Sequence, residues 1–597
     1  MDLEQIEKLL LHGAHFTTEQ KQVIQAPGRI NVVAGPGSGK TTVLAAKVLL
    51  LLTNPQIDGK GICCITHTNV AVNEILERLK IGGIDEVEYP NFVGTIQSFM
   101  DTFLGRTAFA KILPGVTMKL LEEEKYKERY TQNFKRIVTT YTYPKVPNPD
   151  KWQTKLVISD SGLYHYENVS QNFQYGINHA LKWLFNDGIV SYNDLKSLSN
   201  WYLNQHKAEL CAALGERFSY LMLDEAQDTD MMQFNIINNL ASASSLNVQR
   251  FGDPYQSLYT IYGSEVEDSW KPKNDEGVYA TKEISETTRF GSVIAGVVKN
   301  VCIEEYSHFH SNQQFHSFPK YFLTYATGDE LRKKHDRLIE SAANSDTNFR
   351  DSDRVDAIVG VMHDDVYRVE SEYVRESTKQ RGHRRAVKEI YDLLVTLLAN
   401  TMNHSVVEEQ QIVRSDGNLN QGLADIIQRL ADKQLTCEEL YDSLNKFIAI
   451  DSSIVDSFKS DCEHLIRSVN SLSNQPEITE KTPSIVHREF STIHGVKGET
   501  HRSTVLLLDS CVHPKYGLDE HENEFNKFFE VIFPYLLGHR TKFSENAEVR
   551  KLQRDSLKLA YVALSRPKYL VAVAIPIKDL GDKKREELLS HGWVEAK

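Results

Sequence analysis

Cysteine is sparse and poorly placed for cross-linking. The seven residues, at 63, 64, 211, 302, 437, 462 and 511, are odd in number, scattered and without C-x-x-C spacing. That pattern argues against a disulfide framework or a zinc ribbon and fits a reducing compartment. Long apolar runs are lacking too: Met1 to Phe16 carries early acids and no apolar core, and Val43 to Leu52 is short and interrupted by Lys47. Neither a signal peptide nor a membrane span is expected, so the reading is cytoplasmic with no membrane partner. Positive charge is not in excess, since 68 Lys+Arg against 81 Asp+Glu leaves a net charge of −13. Such a chain does not coat nucleic acid through its whole surface, although a local basic channel is compatible with it. There is no internal repeat, and no low-complexity tract beyond the polar segment Asn470 to Gln475.

What is present is a long, ordinary globular chain. Its 597 residues correspond to about four domains, with clefts between them. Ile30 to Ala34 is an apolar run followed by a glycine-rich loop and a long apolar-periodic stretch, the order strand, loop, helix. Gly61 to Ile65, Tyr220 to Leu223, Asp356 to Val361, Val505 to Leu508 and Leu570 to Ala574 read as further buried strands. Several end in polar residues, as parallel strands do where they deliver chemistry to the carboxyl edge of a sheet. Met100 to Arg217 reads as a helical insertion, and a second helical insertion spans about Glu370 to Leu472, opening on the basic cluster Arg375 to Lys388. Interspersed Glu376 and Glu389 make that cluster a solvated helix face ahead of a DNA contact.

Two motifs carry chemistry. In Ala34-Gly35-Pro36-Gly37-Ser38-Gly39-Lys40-Thr41 the glycines let backbone N–H groups curl around phosphates at a helix N-terminus. Lys40 would reach the β and γ oxygens, and Thr41 would hold magnesium, with Thr42 in the same turn. The strict pattern has Gly where Ala34 stands. Leu221-Met222-Leu223-Asp224-Glu225 is an apolar strand ending in two carboxylates, one suited to positioning magnesium and the next to orienting and deprotonating water. Together they indicate a nucleoside triphosphatase.

The runs Asp224-Glu225-Ala226-Gln227-Asp228, Gly252-Asp253-Pro254-Tyr255-Gln256 and Tyr561-Val562-Ala563-Leu564-Ser565-Arg566 occur in that order, and the chain resembles the UvrD/Rep family of superfamily 1 DNA helicases. Phe16 to Gln20, Thr66-His67-Thr68-Asn69, Gly94-Thr95-Ile96-Gln97-Ser98-Phe99, Thr287-Thr288-Arg289 and Thr492-Ile493-His494-Gly495-Val496-Lys497-Gly498 add to the likeness, which spans residues 16 to 568. The resemblance implies an α/β fold of two RecA-like parallel-sheet domains with two inserted, mainly helical domains. Expected bounds are 1–100 with 215–285 for the first RecA-like domain and 101–214 for its insertion. The second RecA-like domain is expected at 286–366 with 487–597, and a reduced second insertion at 367–486.

By the same resemblance ATP binds between the RecA-like domains, with Gln20 on adenine, Gly35, Gly37, Ser38, Gly39, Lys40, Thr41 and Thr42 around the phosphates, and Thr41 and Asp224 on Mg²⁺. Glu225 addresses the attacking water, Gln256 senses the γ-phosphate, and Arg289 and Arg566 serve as arginine fingers. Thr66, His67, Thr95, His494 and Lys497 fall in motifs that line a single-stranded DNA track, and Tyr259 and Tyr262 are the aromatic platforms flanking Ile261, where the family has Trp. Thr288 stands where an adenine-stacking Tyr is usual, which leaves nucleobase preference open. The implied activity is 3′→5′ translocation on single-stranded or tailed duplex DNA. An alternative is a DNA-end or nucleotide-sensing ATPase subunit that regulates a partner nuclease in anti-phage defence and unwinds weakly; a likeness to the helicase subunit of the bacterial Gabija anti-phage system implies an OLD-family nuclease. The aromatic segment between Pro514 and Arg550 reads as local core ahead of a partner surface.

Overall fold

The computed structural model describes the chain except residues 54–58, 138–154, 168–173, 243–244, 259–260, 262–268, 273–276, 307, 313–315, 372, 374–382, 403–412, 414–416, 432–434, 448–454, 473–485, 511–526 and 597. Tyr259, Tyr262, Phe525 and the start of the basic cluster at Arg375 therefore lie outside the described residues. Two compact units are present, Met1–Ser371 with Val486–Lys597, and Glu372–Ile485.

The large unit holds two six-stranded sheets, each paired in parallel throughout. In the first lobe the strands are β1 (Ile30–Ala34), β2 (Gly61–Thr66), β3 (Phe92–Thr95), β4 (Phe218–Leu223), β5 (Asn247–Gly252) and β6 (Ala280–Ile284), in the order β6-β1-β5-β4-β2-β3. In the second they are β7 (Lys320–Tyr325), β8 (Asp356–Gly360), β9 (Arg488–Thr492), β10 (His501–Leu507), β11 (Pro567–Pro576) and β12 (Trp593–Glu595), in the order β9-β8-β10-β11-β7-β12. β1, β2, β8 and β10 are buried at every position, which is why they read in sequence as continuous apolar runs instead of alternating ones. This is the α/β, two RecA-like architecture expected from the motifs.

Helices cover both faces. α1 (Leu3–Leu11), α2 (Thr18–Gln25), α3 (Lys40–Leu52) and α4 (Asn69–Ile81) shelter one face of the first sheet, with Ile24, Leu44, Val48, Ile75 and Leu79 in a common core. Between β3 and β4 the chain forms helices Arg106–Ile112, Glu123–Ile137, Gln174–Asn186, Tyr192–Gln205 and Lys207–Arg217, whose buried Phe109, Tyr130, Leu181 and Leu198 share a core with Ile65 and Leu221 of the sheet. The unit Glu372–Ile485 is helical where described: His383–Met402, Gly417–Ala431, Cys437–Asn445 and Val455–Leu472 bury Leu394, Leu398, Leu423, Ile426, Leu440, Phe458 and Cys462 against one another. In the aromatic segment after residue 526, Phe528, Phe529, Ile532 and Phe533 lie in the core of the second lobe.

One buried lysine ties α2 to α3, its pKa pushed by burial down to about 7. Lys47, 1 % exposed, donates from Nζ to the carbonyls of Val23 at 2.9 Å, Ile24 at 3.0 Å and Ala26 at 2.6 Å. Val23 O also accepts from the Ala26 N–H at 3.2 Å and Ala26 O from Gln249 Nε2 at 3.1 Å, so Lys47 adds to the capping of the C-terminal end of α2. Lys47→Met should lower stability by about 2 kcal/mol, because methionine fills the space but removes three hydrogen bonds; a thermal melt of the variant beside the wild type measures it.

The second lobe has its own buried ion pair, with the guanidinium of Arg502 doubly bonded to Asp356 and Ser503 Oγ donating to the same carboxylate at 2.7 Å. His335, wholly buried on helix α5 (Gly328–Ser345), lies beside it. Burial, reinforced by Arg488 and opposed by Asp356, pushes its pKa from 6.5 down to about 4. The unfolded chain therefore holds a proton between pH 6.5 and 4 that the folded chain refuses, so stability from this site is lost as pH falls through that window. Near pH 5 the wild type should lose about 1 kcal/mol per pH unit more than His335→Gln does, which urea titrations at several pH values would resolve.

Candidate active site: the cleft between the lobes

β1 ends at Ala34, and the chain turns through Gly35–Gly39 into α3. Gly37 and Gly39 have φ of +74° and +77°, in the left-handed region that glycine enters without strain. Gly39 occupies the cap position of α3 and offers no side chain to it, so the N-terminus of α3 is open to an anion. Gly35, Gly37, Ser38, Gly39, Lys40, Thr41 and Thr42 all line one cavity of about 1090 Å³. Its far wall comes from the second lobe and includes Thr288, Arg289, Arg354, His494, Lys497 and Arg566.

Lys40 Nζ sits 2.9 Å from Asp224 Oδ1 and 2.6 Å from Glu225 Oε2. Burial works to discharge the ammonium, but the two carboxylates outweigh it and raise its pKa. Burial likewise opposes charge on Glu225, yet Lys40 and Gln227 hold its carboxyl below the usual carboxylate range. Glu225 also has φ of +51°, a left-handed backbone unusual for a residue with a side chain, and its N–H donates to Asp224 Oδ1 at 2.9 Å. Such strain costs on the order of 1 kcal/mol and is kept where the surroundings impose it. It turns the second carboxylate out of the strand direction, so that Asp224 (1 % exposed) and Glu225 diverge from one strand end while both reach Lys40.

The lobes are joined by a polar network. Asp253, after β5, accepts from Gln256 Nε2 at 2.8 Å and from the Tyr561 hydroxyl at 3.1 Å; burial raises its pKa to about 6 against these bonds. Arg566 donates to Gln256 Oε1 at 3.0 Å, to the Val562 carbonyl at 2.9 Å and to Ser565 Oγ at 3.1 Å. Arg289 donates to the Ser565 carbonyl at 3.1 Å. Desolvation, with Arg566 and Arg354 close by, pushes Arg289 down to about 9, so it stays charged at neutral pH in a wall crowded with cations. Such a concentration of cations favours an anion in the cleft.

The remaining expected residues fall as follows. Gln20 has both ends of its amide engaged within the protein, Oε1 by the Thr17 N–H at 2.9 Å and Nε2 by the Ser38 carbonyl at 2.8 Å. Thr288 donates from its N–H and its hydroxyl to the Gly37 carbonyl, at 3.0 and 3.2 Å. Thr66, His67, His494 and Lys497 line the same cavity as the phosphate loop. His67 Nε2 lies 3.0 Å from Thr229 Oγ1. Burial pushes His67 and His494 down to about 4, so both rings are neutral at physiological pH. Thr95 is outside that cavity: its hydroxyl caps the helix Ile96–Met100 by accepting from Ser98 N at 3.1 Å.

Sequence reasoning passed over Gln227, Asp228, Asp253, Arg78 and Arg354. Gln227 and Asp228 stand in the same run as Glu225, and Asp253 three residues before Gln256, so proximity in sequence was a usable signal. Arg78 donates to Thr42 Oγ1 and to Glu74, and Arg354 donates to the Thr500 carbonyl at 3.1 Å; no local pattern marks either.

The cavity has the donors a nucleoside triphosphate needs. Buried Ser38 Oγ and Thr66 Oγ1 have no hydrogen-bond partner among the described residues, and an unsatisfied buried hydroxyl is costly unless a ligand completes it. No group of three or more His, Cys, Asp or Glu among the described residues could hold a metal ion. A divalent cation at Asp224 and Thr41 would thus draw further ligands from phosphate and water, the way magnesium is commonly held. No helix among the described residues is long and apolar enough to cross a membrane.

Residues 16–275 match the model of the UvrD/REP helicase N-terminal domain. A Mycoplasma pneumoniae protein named as a probable DNA helicase is 26% identical over 293 residues, 47% of this chain and 54% of that protein. The ATP-dependent DNA helicase Rep of Buchnera aphidicola subsp. Schizaphis graminum is 24% identical over 349 residues, 56% of this chain and 51% of that protein. The chain thus spans about half the length of these curated relatives. Residues 16–275 are thus similar to a UvrD/REP helicase N-terminal domain, and relatives that share part of the chain are named as DNA helicases.

Proposed function

We propose that this chain is an ATP-dependent DNA translocase or helicase that acts on single-stranded or tailed duplex DNA, with the 3′→5′ direction its resemblance implies. The observation that supports it best is the facing pair of walls: Lys40, Asp224 and Glu225 on one lobe, Arg289 and Arg566 on the other, with Gln256 bonded to Arg566 across the gap. A triphosphate entering the cleft takes Lys40 from the carboxylates. Asp224 and Thr41 would then hold magnesium, which supplies neutralisation of phosphate charge. Glu225, released from Lys40, orients water and accepts its proton, while the two guanidiniums stabilise the charge that develops on the transferred phosphoryl group. Because Gln256 joins Asp253 to Arg566, cleft closure and nucleotide state are coupled, and alternation of the lobes on the strand follows.

The test is turnover of Mg-ATP without nucleic acid, with single-stranded DNA, and with tailed duplexes whose separation is followed in parallel. Turnover raised at least about tenfold by DNA, with separation of a 3′-tailed duplex, is the expected result. Stimulation without separation would move the reading to a DNA-end-sensing ATPase that regulates a partner nuclease in anti-phage defence, and turnover indifferent to all DNA would overturn the translocase and the DNA-end-sensing readings together.

A further inference from the structure

The carboxylate assigned to activate water is held at two points, and only one of them faces the nucleotide. Glu225 Oε2 accepts from Lys40, which phosphate can claim, and from Gln227 Nε2 at 2.6 Å. The Gln227 side chain is buried and its position is pinned, because Oε1 accepts from the Asp253 N–H at 3.1 Å. Its amide nitrogen faces a second carboxylate as well, Asp228 Oδ2 at 3.1 Å. Asp228 is in turn engaged by the second lobe: Lys497 Nζ lies 2.5 and 2.6 Å from its two oxygens. Lys497 lines the same cavity as Thr66, His67 and His494.

We propose that Lys497, Asp228 and Gln227 are positioning residues of a relay through which a phosphate of a bound single strand frees Glu225 for catalysis. The inference rests on the function proposed above and adds how the strand is sensed. In the strand-free arrangement Lys497 satisfies Asp228, and the Gln227 amide leans to Glu225, lowering the basicity of that oxygen. A backbone phosphate offers Lys497 an alternative anion. Once the ammonium turns to it, Asp228 is a buried carboxylate lacking that charge partner, and the Gln227 amide, which already donates to its Oδ2 at 3.1 Å, shifts further toward it and away from Glu225. Glu225 then loses its second donor. Since the nucleotide removes the first, full basicity at Glu225 needs both ligands, and turnover depends on the strand without any contact between strand and nucleotide.

The relay predicts effects of unlike sign from its two ends. In binding titrations with a short fluorescein-labelled single-stranded DNA, Asp228→Asn should bind about tenfold more tightly than the wild type, since the strand no longer competes with an ion pair for Lys497. Lys497→Met should bind more weakly, with the slope of log affinity against log salt reduced by about one. Strand-free turnover of Lys497→Met should rise about tenfold, the equivalent of one hydrogen bond lost to Glu225, whereas Lys497→Arg should restore both low strand-free turnover and stimulation. The double variant Lys497→Met/Asp228→Asn leaves no unpaired buried charge, and its turnover should not respond to DNA. Asp228→Asn binding no tighter than the wild type, or a double variant that DNA still stimulates, would overturn the relay while leaving the ATPase reading intact. A wild type that neither binds the oligonucleotide nor hydrolyses ATP would overturn the functional reading and the relay together.

Discussion

Glu225→Gln is expected to lower Mg-ATP turnover about a thousandfold while nucleotide affinity changes little. The amide keeps the shape of the side chain and can still face the Lys40 ammonium, but it cannot take a proton from water, and general-base removal costs on the order of 10²–10⁴ in rate. The left-handed backbone at this position should tolerate the change, since glutamine occupies the same volume. Single-turnover hydrolysis with equilibrium binding of a fluorescent ATP analogue separates the two quantities. Lys40→Ala should differ by losing affinity as well, because Lys40 is the phosphate-reaching cation of the first wall. Turnover near the wild-type rate in Glu225→Gln would remove Glu225 from the reaction.

Arg566→Ala is expected to cost about 10³ in turnover, in the range found when an arginine finger is removed. Three geometric facts set the expectation: the guanidinium is 2 % exposed, it is held by the Val562 carbonyl and Ser565 Oγ, and it reaches Gln256 on the opposite lobe. The side chain is thus placed before nucleotide arrives, and little reorganisation accompanies the transition state. Arg566→Lys should recover only a small part of the rate, since a point charge cannot keep both the Gln256 bond and a phosphate oxygen. Measuring turnover of the two variants at saturating ATP, beside their melting temperatures, distinguishes lost chemistry from lost folding.

The strands around the cleft were legible because parallel strands buried on both faces produce uninterrupted apolar runs. Ile30 to Ala34 is the clearest, its reading and its strand coinciding. The phosphate loop and Asp224-Glu225 were legible for a different reason: each is a local cluster whose chemistry depends on near neighbours. What escaped reading depends on packing between distant segments. Nothing near Asp228 announces that Lys497, 269 positions away, closes on it, and nothing near Arg354 indicates the cleft. Gln20 shows the converse, a residue whose family role is contact with a base but whose amide is here engaged with Thr17 and Ser38. Thr95 likewise has a local structural job, because a hydroxyl before a helix is as good a cap as a ligand contact.

The loop at Gly37 also bears on how far the machine can close. A methyl group built there would stand 2.3 Å from Arg289 Cβ and 2.6 Å from Thr287 Oγ1, while the Gly37 carbonyl receives both donors of Thr288. The missing side chain is therefore a clearance between the two lobes. Its absence lets the two lobes meet at backbone distance on this loop, so in the cycle proposed above a side chain here would hold the cleft further open.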